Sequence, residues 1–234
     1  MSVVCGVDSC KQGWIVIAHD LHSDDYSWRL CLSVQEIVSF RPTHQVIAID
    51  IPIGLPDAGP RDCDLKARRL LGHPRGCSVF PAPIQAVLSA NSYEGACEKR
   101  YRVDGKKMSC QAWSIVKKVK DVDHFLRIKS GHREKFYEVH PEVSFYCLAG
   151  ERPPLHSKKA ALGQDERRKL LEPLFGQHLQ SALKERKKLG SEVDDILDAF
   201  VAVWTAKRIF LGISKAIPTE WPNDTFGLPM RISA

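Results

Sequence analysis

Hydrophobic and polar positions at the start of the chain predict three consecutive β-strands. Residues 3–8 alternate between two faces, and Asp8 shares its face with Gly6. Polar turns separate this segment from two further apolar runs, at residues 14–18 and 26–32. Short turns join antiparallel neighbours, so we expect a three-stranded antiparallel arrangement.

A second buried strand follows a short helix. Ser33 and Glu36 form a capping-box pattern, which predicts a helix that ends between Phe40 and Pro42. Residues 45–53 are then almost continuously apolar, as in a strand buried on both faces, and Asp50 lies near the carboxyl end. In α/β sheets this end of a strand is where functional sites usually lie.

Asp8 and Asp50 share an unusual setting. Each follows a small residue two positions earlier on the same strand face, Gly6 and Ala48 respectively. Small residues on a strand let a neighbouring element approach closely, so we expect a helix to pack there. A turn cap would explain one such aspartate, but two in equivalent settings favour a shared site.

The pattern becomes helical and basic between residues 57 and 135. Periodic apolar positions predict helices at 61–71, 93–101 and 112–126. We interpret this region as a helical insertion within a single domain that spans residues 1–234. Its basic side chains predict a groove for nucleic acid, although a solvated helix surface explains them equally well. The candidate nucleic-acid-binding residues are Arg68, Arg69, Lys117, Lys118 and Lys120.

Residues 136–145 predict a further strand with Glu138, His140 and Glu142 on one face. Residues four apart on a strand are about 13 Å from each other, so all three side chains cannot contact one ion. Glu138 is the expected partner of the two earlier aspartates, and Glu142 competes with it. His140 and Glu142 are otherwise expected around the ion or in pairs with lysines. The candidate lysines are Lys158 and Lys159.

The end of the chain predicts three helices. Two amphipathic, exposed helices at 164–175 and 179–189 precede a strongly apolar helix at 191–211. At 100° per residue, this last helix has a broad apolar face and an opposite stripe of alanines with Asp195 and Asp198. A small, acidic stripe suits a helix that is pressed against another element and presents carboxylates to a common site.

Composition narrows the class of protein. The chain of 234 residues is 44% hydrophobic and 26% charged, which is ordinary for a globular protein. No apolar run approaches the roughly 20 residues that span a bilayer, and no secretory signal pattern is visible, so we expect no membrane partner. Eight scattered cysteines without a CxxC pair suit a reducing, cytoplasmic location. The net charge of +6 favours polyanionic partners only weakly, and the sequence does not determine the oligomeric state.

The predicted acids suit a divalent-metal site. Asp8, Asp50, Glu138 and one or both of Asp195 and Asp198 offer only oxygen ligands, which favours Mg²⁺ or Mn²⁺. Paired metal ions about 3.5–4 Å apart support phosphodiester hydrolysis. The chemistry thus predicts a metal-dependent phosphodiester hydrolase.

Seven sequence blocks, in order along the chain, carry a resemblance to a known family. The blocks are GVDSCKQGW (residues 6–14), IDIPIGLP (49–56), SVFPAP (78–83), QAWSIVKKVKDVD (111–123), EVHPEVSF (138–145), HSKK (156–159) and DDILDA (194–199). They resemble the family called domain-of-unknown-function 429, which is described as predicted nucleases with an RNase H-like fold. The resemblance implies an α/β protein with three antiparallel strands, then parallel strands, flanking helices and a C-terminal helix that carries an acid. It also implies metal ligands at Asp8, Asp50, Glu138 and one of Asp195 or Asp198.

Two other functions are compatible with the sequence. One is an actin-like phosphotransferase or ATP-binding protein, because such proteins place an aspartate near the first turn. We find no second glycine-rich nucleotide loop near the C-terminal helix, which weighs against it. The other is a non-catalytic module that binds nucleic acid or protein through the basic insertion.

Overall fold

A five-stranded mixed β-sheet forms the centre of the protein. The computed structural model describes residues 2–40 and 44–234. The strands are β1 (Val3–Ser9), β2 (Trp14–Asp20), β3 (Tyr26–Cys31), β4 (His44–Ile49) and β5 (Phe136–Glu138), and their order in the sheet is β3-β2-β1-β4-β5. The first three are antiparallel neighbours, whereas β4 is parallel to both β1 and β5. The predicted antiparallel triplet and the parallel strand after it are confirmed.

Seven α-helices surround this sheet within the described ranges. They are α1 (Val34–Phe40), α2 (Asp62–Leu71), α3 (Tyr93–Asp104), α4 (Cys110–Ile128), α5 (Pro141–Leu148), α6 (Ala161–Glu185) and α7 (Val193–Phe210). The helical character predicted for residues 57–135 is confirmed by α2, α3, α4 and three 3₁₀ turns. Two short strands that the sequence patterns did not predict, β6 (Ala216–Ile217) and β7 (Ile232–Ser233), form a separate antiparallel pair.

The predicted start of α1 is also confirmed. The Ser33 hydroxyl accepts a hydrogen bond from the Glu36 amide at 3.2 Å, and the Glu36 carboxylate accepts one from the Leu32 amide at 3.0 Å. These bonds satisfy amide groups that have no partner inside the helix. The predicted end of α1 at Pro42 lies outside the described residues.

Both faces of the sheet are buried, which explains the nearly continuous apolar pattern of β1 and β4. Val3, Cys5 and Val7 belong to one apolar core, and Val4 belongs to a second core on the other face. Because successive strand residues point to opposite faces, a sheet covered on both sides needs apolar side chains at almost every position. A charged residue inside such a strand, as Asp8 is, therefore requires a specific explanation.

Helix α7 lies directly against β1. A Cβ atom added to Gly6 would lie only 2.2 Å from the Ala199 carbonyl oxygen and 2.3 Å from the Val203 amide nitrogen. Glycine is therefore required for this close approach, and the predicted packing of a helix at Gly6 is confirmed. The opposite side of α7 contacts α6, where the Phe200 and Phe175 ring centroids are 5.0 Å apart.

The strand predicted at residues 136–145 is wrong beyond Glu138. Strand β5 ends there, and Pro141 begins helix α5. Proline suits the first turn of a helix, since the amide hydrogen that it lacks would have no helical partner there. Residues 141–145 alternate between apolar and polar side chains, which is the pattern of a strand, although all five are buried here at the start of a helix.

The two amphipathic helices predicted after residue 164 form α6, which has a break at Gly176. The φ angle of Gly176 is 42°, outside the helical range. The inner side of α6 is buried at Leu171, Phe175 and Leu179 and covers α7. Within the described ranges, no helix combines the length and the apolar character that crossing a bilayer requires.

Candidate functional site

Three carboxylates converge at one end of the central strands. Val7 of β1 lies opposite Ile49 of β4, so Asp8 and Asp50 emerge side by side where these parallel strands end. The Asp50 amide donates a hydrogen bond of 2.9 Å to the Val7 carbonyl oxygen, which fixes this register. Helix α7 contributes Asp198, which directly precedes the residue that packs on Gly6. Asp8 and Asp198 are buried, with exposed fractions of 3% and 0%, and Asp50 is partly exposed.

This cluster binds protons more tightly than ordinary carboxylates do. Burial and the negative charges of Asp198 and Asp50 raise the pKa of Asp8 well above its usual value. Burial is also the largest cause of the raised pKa values of Asp50 and Asp198. Because the negative charges of Asp8 and Asp50 repel each other, a proton on one of the two carboxyl groups is favoured. When all three carboxyl groups are ionised, their negative charges repel one another, so the cluster needs a cation to balance them.

Lys158 supplies a positive charge from the loop that precedes α6. Its ammonium forms an ion pair with Asp198 Oδ2. Burial alone would lower the pKa of Lys158, but the charges of Asp198, Asp8 and Asp50 outweigh that effect and raise it. The neighbouring Lys159 instead pairs with Asp194, at 2.6 Å. Lys158, which the sequence predicted as a partner of His140 or Glu142, is instead paired with Asp198 of the carboxylate cluster.

Asp195 and Asp198 have different roles in helix α7, while the choice of metal ligand between them stays a prediction. The Asp195 carboxylate accepts a hydrogen bond of 2.9 Å from the Glu192 amide, as part of the capping box that begins α7. Asp198 lies one turn later and faces Asp8 and Lys158. Asp195 still contributes to the raised pKa of Asp8 through its charge.

Glu138 lies beside the cluster but is bound to Arg61. The Arg61 guanidinium donates to both carboxylate oxygens, at 2.6 and 2.7 Å, and the Ile53 amide donates to Oε2 at 2.7 Å. Arg61 also donates to Asp64 at 2.6 Å, and Asp64 accepts from the Ala82 amide at 3.0 Å. A metal ligand at Glu138 stays a prediction, and it would require this bidentate pair to open.

Glu142 is also paired with an arginine, so the expected pairing with Lys158 or Lys159 is wrong. Its Oε1 accepts a hydrogen bond of 2.5 Å from Arg167 Nη2, and both side chains are buried. The error follows from the strand prediction: on helix α5, Glu142 lies within reach of Arg167 of α6, although it still lines the cavity beside Asp50 and Lys158.

His140 lies next to Asp50. Its charge, when present, lowers the pKa of Asp50. The His140 Nε2 atom is 3.4 Å from the Ser78 carbonyl oxygen, and Nδ1 has no hydrogen-bond partner among the described residues. His140, Asp50 and Lys158 line the same cavity of about 220 Å³, together with Arg61 and Phe80.

The five candidate nucleic-acid-binding residues fall into two groups. Arg68 donates to the Val79 carbonyl oxygen at 2.6 Å. Lys118 donates to the carbonyl oxygens of Cys10 and Gly13, at 2.5 and 2.9 Å, and so holds the turn that follows Asp8. The remaining three side chains are exposed: Arg69, Lys117 and Lys120.

The donor set fits a divalent ion held by few protein ligands. Mg²⁺ is commonly bound through one or two carboxylates and keeps several waters. Asp8 and Asp50 form such a pair, and the buried Asp198 Oδ1 atom has no hydrogen-bond partner in the described chain. No three Asp, Glu, His or Cys side chains in residues 2–40 and 44–234 are arranged as a ready-made metal cage.

A family model described as "Protein of unknown function (DUF429)" matches residues 6–222. The chain belongs to the DUF429 family. The family resemblance carried by the seven sequence blocks is thereby confirmed. Comparison with curated proteins and with solved structures found no match.

The Arg61 network is the part of this DUF429 protein's site that the sequence patterns missed. Asp64 follows Arg61 by three residues, the spacing of a helical ion pair, and this local signal was available. Glu138 is 77 residues away, so its pairing with Arg61 depends on how α2 packs beside β5.

Proposed function

We propose that this DUF429 protein is a divalent-metal-dependent phosphodiester hydrolase that acts as a nuclease. The convergence of Asp8, Asp50 and Asp198 at one edge of the sheet carries this proposal. Buried carboxylates that repel one another destabilise a fold, and such arrangements concentrate at functional sites. An oxygen-only set next to a cavity suits Mg²⁺ or Mn²⁺ chemistry on a phosphate ester.

The sheet topology supports an RNase H-like architecture for this site. Three antiparallel strands are followed by parallel strands, in the order β3-β2-β1-β4-β5. The acids come from the first strand, from the end of the fourth strand and from the C-terminal helix, as the family resemblance implies. Since a fold hosts many activities, the proposed chemistry rests on the carboxylates rather than on the topology.

The residues of the site have distinct proposed roles. Asp8 and Asp50 hold the divalent ion, and Asp198 lies beside them in its pair with Lys158. The bound ion supplies Lewis-acid stabilisation of the charge that develops on the phosphoryl group. His140 lines the cavity, its Nδ1 has no hydrogen-bond partner in the described part of the chain, and it is the candidate to move a proton there.

The Arg61 pair has a positioning role in this proposal. Arg61 donates to the carbonyl oxygens of Ile53 and Gly54, at 3.1 and 3.2 Å, as well as to Glu138. It therefore holds the segment that follows Asp50, so that the loop cannot carry this aspartate away from Asp8.

A cleavage assay with matched variants tests the proposal. End-labelled single-stranded DNA, duplex DNA, RNA and RNA–DNA hybrid are incubated with purified protein and Mg²⁺ or Mn²⁺. We expect cleavage of at least one substrate, and a loss of more than 100-fold in Asp8→Asn and Asp50→Asn. Asp57→Asn removes an exposed carboxylate and serves as the control. Failure to cleave any of the four substrates, or equal cleavage by all variants, would refute the proposal.

The same variants separate the two alternative functions. A non-catalytic nucleic-acid module would keep salt-sensitive binding in Asp8→Asn, because its contacts are to phosphates rather than to the metal. An ATP-binding protein would be stabilised against heat by Mg²⁺ and ATP in the absence of any nucleic acid.

A further inference from the structure

Lys158 is placed where a second metal ion would be expected. In a two-metal site, both ions share a cluster of carboxylates. Here the third carboxylate, Asp198, uses one oxygen for the Lys158 ammonium. The charge of that ammonium also acts on Asp8 and Asp50, so it lies within the field of the whole cluster. Lys158 is 33% exposed and can be reached from the cavity that it lines.

The backbone that carries Lys158 is held in place by α6. Glu166 accepts hydrogen bonds from the amides of Leu155 and His156, at 2.8 and 3.1 Å. Arg167 donates to the His156 carbonyl oxygen at 3.1 Å and is itself fixed by its buried pair with Glu142. These bonds restrain the loop immediately before Lys158, so the backbone from which the lysine side chain extends has a defined position.

Gly163 allows this loop to lie against the first turn of α6. A Cβ atom added there would be 2.0 Å from the Ser157 carbonyl oxygen. No side chain could be accommodated without moving the residue that precedes Lys158. The loop and the helix are thus in close contact immediately before Lys158.

Charge balance indicates how many metal ions the site can hold. Three ionised carboxylates carry three negative charges. One ammonium and one divalent ion together carry three positive charges, which neutralise them. A second divalent ion would leave an excess of positive charge in a largely buried site, at an electrostatic cost.

We propose that Lys158 takes the place of a second metal ion, so that this protein binds a single divalent cation at Asp8 and Asp50. This inference rests on the proposed function, since it concerns the same metal site. The ammonium has three donors, of which Asp198 uses one. The others are available to a phosphate oxygen of a substrate in the cavity, where the ammonium acts as a fixed point charge.

The number of bound Mn²⁺ ions tests the inference without any substrate. Isothermal titration and electron paramagnetic resonance of free Mn²⁺ both count bound ions per chain. We expect one ion in the wild-type protein and two in Lys158→Met, which removes the charge and keeps most of the side-chain length. Lys158→Arg, which keeps the charge, and Lys159→Met, which removes an exposed neighbour, are both expected to bind one ion.

The outcomes distinguish failure of this inference from failure of the proposed function. Two ions in the wild-type protein, or one ion of unchanged affinity in Lys158→Met, would overturn the role of Lys158 while the metal site itself stands. If Lys158→Met does not fold, Lys158→Gln, which also removes the charge, is measured instead, and one ion of unchanged affinity there would equally overturn the role of Lys158. No Mn²⁺ bound to the wild-type protein would overturn this inference and the metal-dependent function together, whereas loss of nuclease activity alone would leave the ion count intact.

Discussion

Replacing Asp8 with asparagine should stabilise the metal-free protein. Asp8 is 3% exposed, and the charges of Asp198 and Asp50 both act on its carboxylate. Two unit charges about 4 Å apart interact by about 4 kcal/mol at an effective dielectric constant near 20. The wild-type protein avoids part of this repulsion by taking up a proton, at about 1.4 kcal/mol per unit of raised pKa. We therefore expect Asp8→Asn to gain about 1–3 kcal/mol at pH 8.

The gain should depend on pH in a defined direction. The pKa of Asp8 is raised in the folded state, so the folded protein binds this proton more tightly than the unfolded chain does. The resulting stabilisation is present at low pH and is lost as the pH rises through the folded-state pKa. Asp8→Asn has no proton to lose at this position. The difference in free energy of unfolding between this variant and wild type should therefore be small at pH 5 and largest at pH 8.

Urea unfolding in the presence of a chelator, at steps from pH 5 to pH 8, measures this difference. For a chain of 234 residues, 1 kcal/mol corresponds to about 2–4 °C in Tm, so thermal unfolding should show a rise of roughly 2–12 °C. Asp57→Asn is the exposed control and should change little. Added Mn²⁺ should stabilise wild type more than Asp8→Asn. A variant that is less stable than wild type at pH 8 would show that Asp8 is a structural anchor, and would refute this reasoning.

Two further substitutions test how the site is held. Arg61→Met leaves two buried carboxylates without their counter-charge and should lower the free energy of unfolding by about 3–5 kcal/mol in urea titrations. The control, Arg102→Met, breaks an exposed ion pair and should lower it by less than about 1 kcal/mol. Equal effects of the two substitutions would contradict the role assigned to the Arg61 network. Gly6→Ala places a methyl group 2.2 Å from a carbonyl oxygen of α7 and should lower the free energy of unfolding by at least about 1–3 kcal/mol in the same measurement. The control, Gly131→Ala, adds a methyl group that meets no described atom within 4 Å and should be nearly neutral. A neutral Gly6→Ala would show that α7 moves freely on the sheet.

Where a signal was local, the sequence predicted the fold well. Alternation identified β1, β2 and β3, and the Ser33 pattern identified the start of α1. Asp8 and Asp50 were recognised because charged residues are rare in strands that are buried on both faces. The small residue before Asp8 correctly indicated a close neighbour, since α7 contacts Gly6.

Where a short segment alternated like a strand but folded as a helix, the sequence misled. Residues 141–145 belong to α5, but their apolar and polar side chains alternate, and five residues are too few to show a helical period. That error also misplaced Glu142, whose arginine partner lies on α6. The charge pattern of α6 suggested only a solvated surface, and nothing in it distinguished the buried Arg167 from its exposed neighbours.

The sequence by itself determined which carboxylates end the central strands, because strand period and burial are properties of neighbouring residues. Only the tertiary structure decided which charges meet. Lys158 reaches Asp198 across 40 residues, and Arg61 reaches Glu138 across 77. Such pairs form because α2, α6 and α7 pack around one edge of the sheet, and a buried charge binds the partner that this packing brings near, wherever that partner lies in the chain.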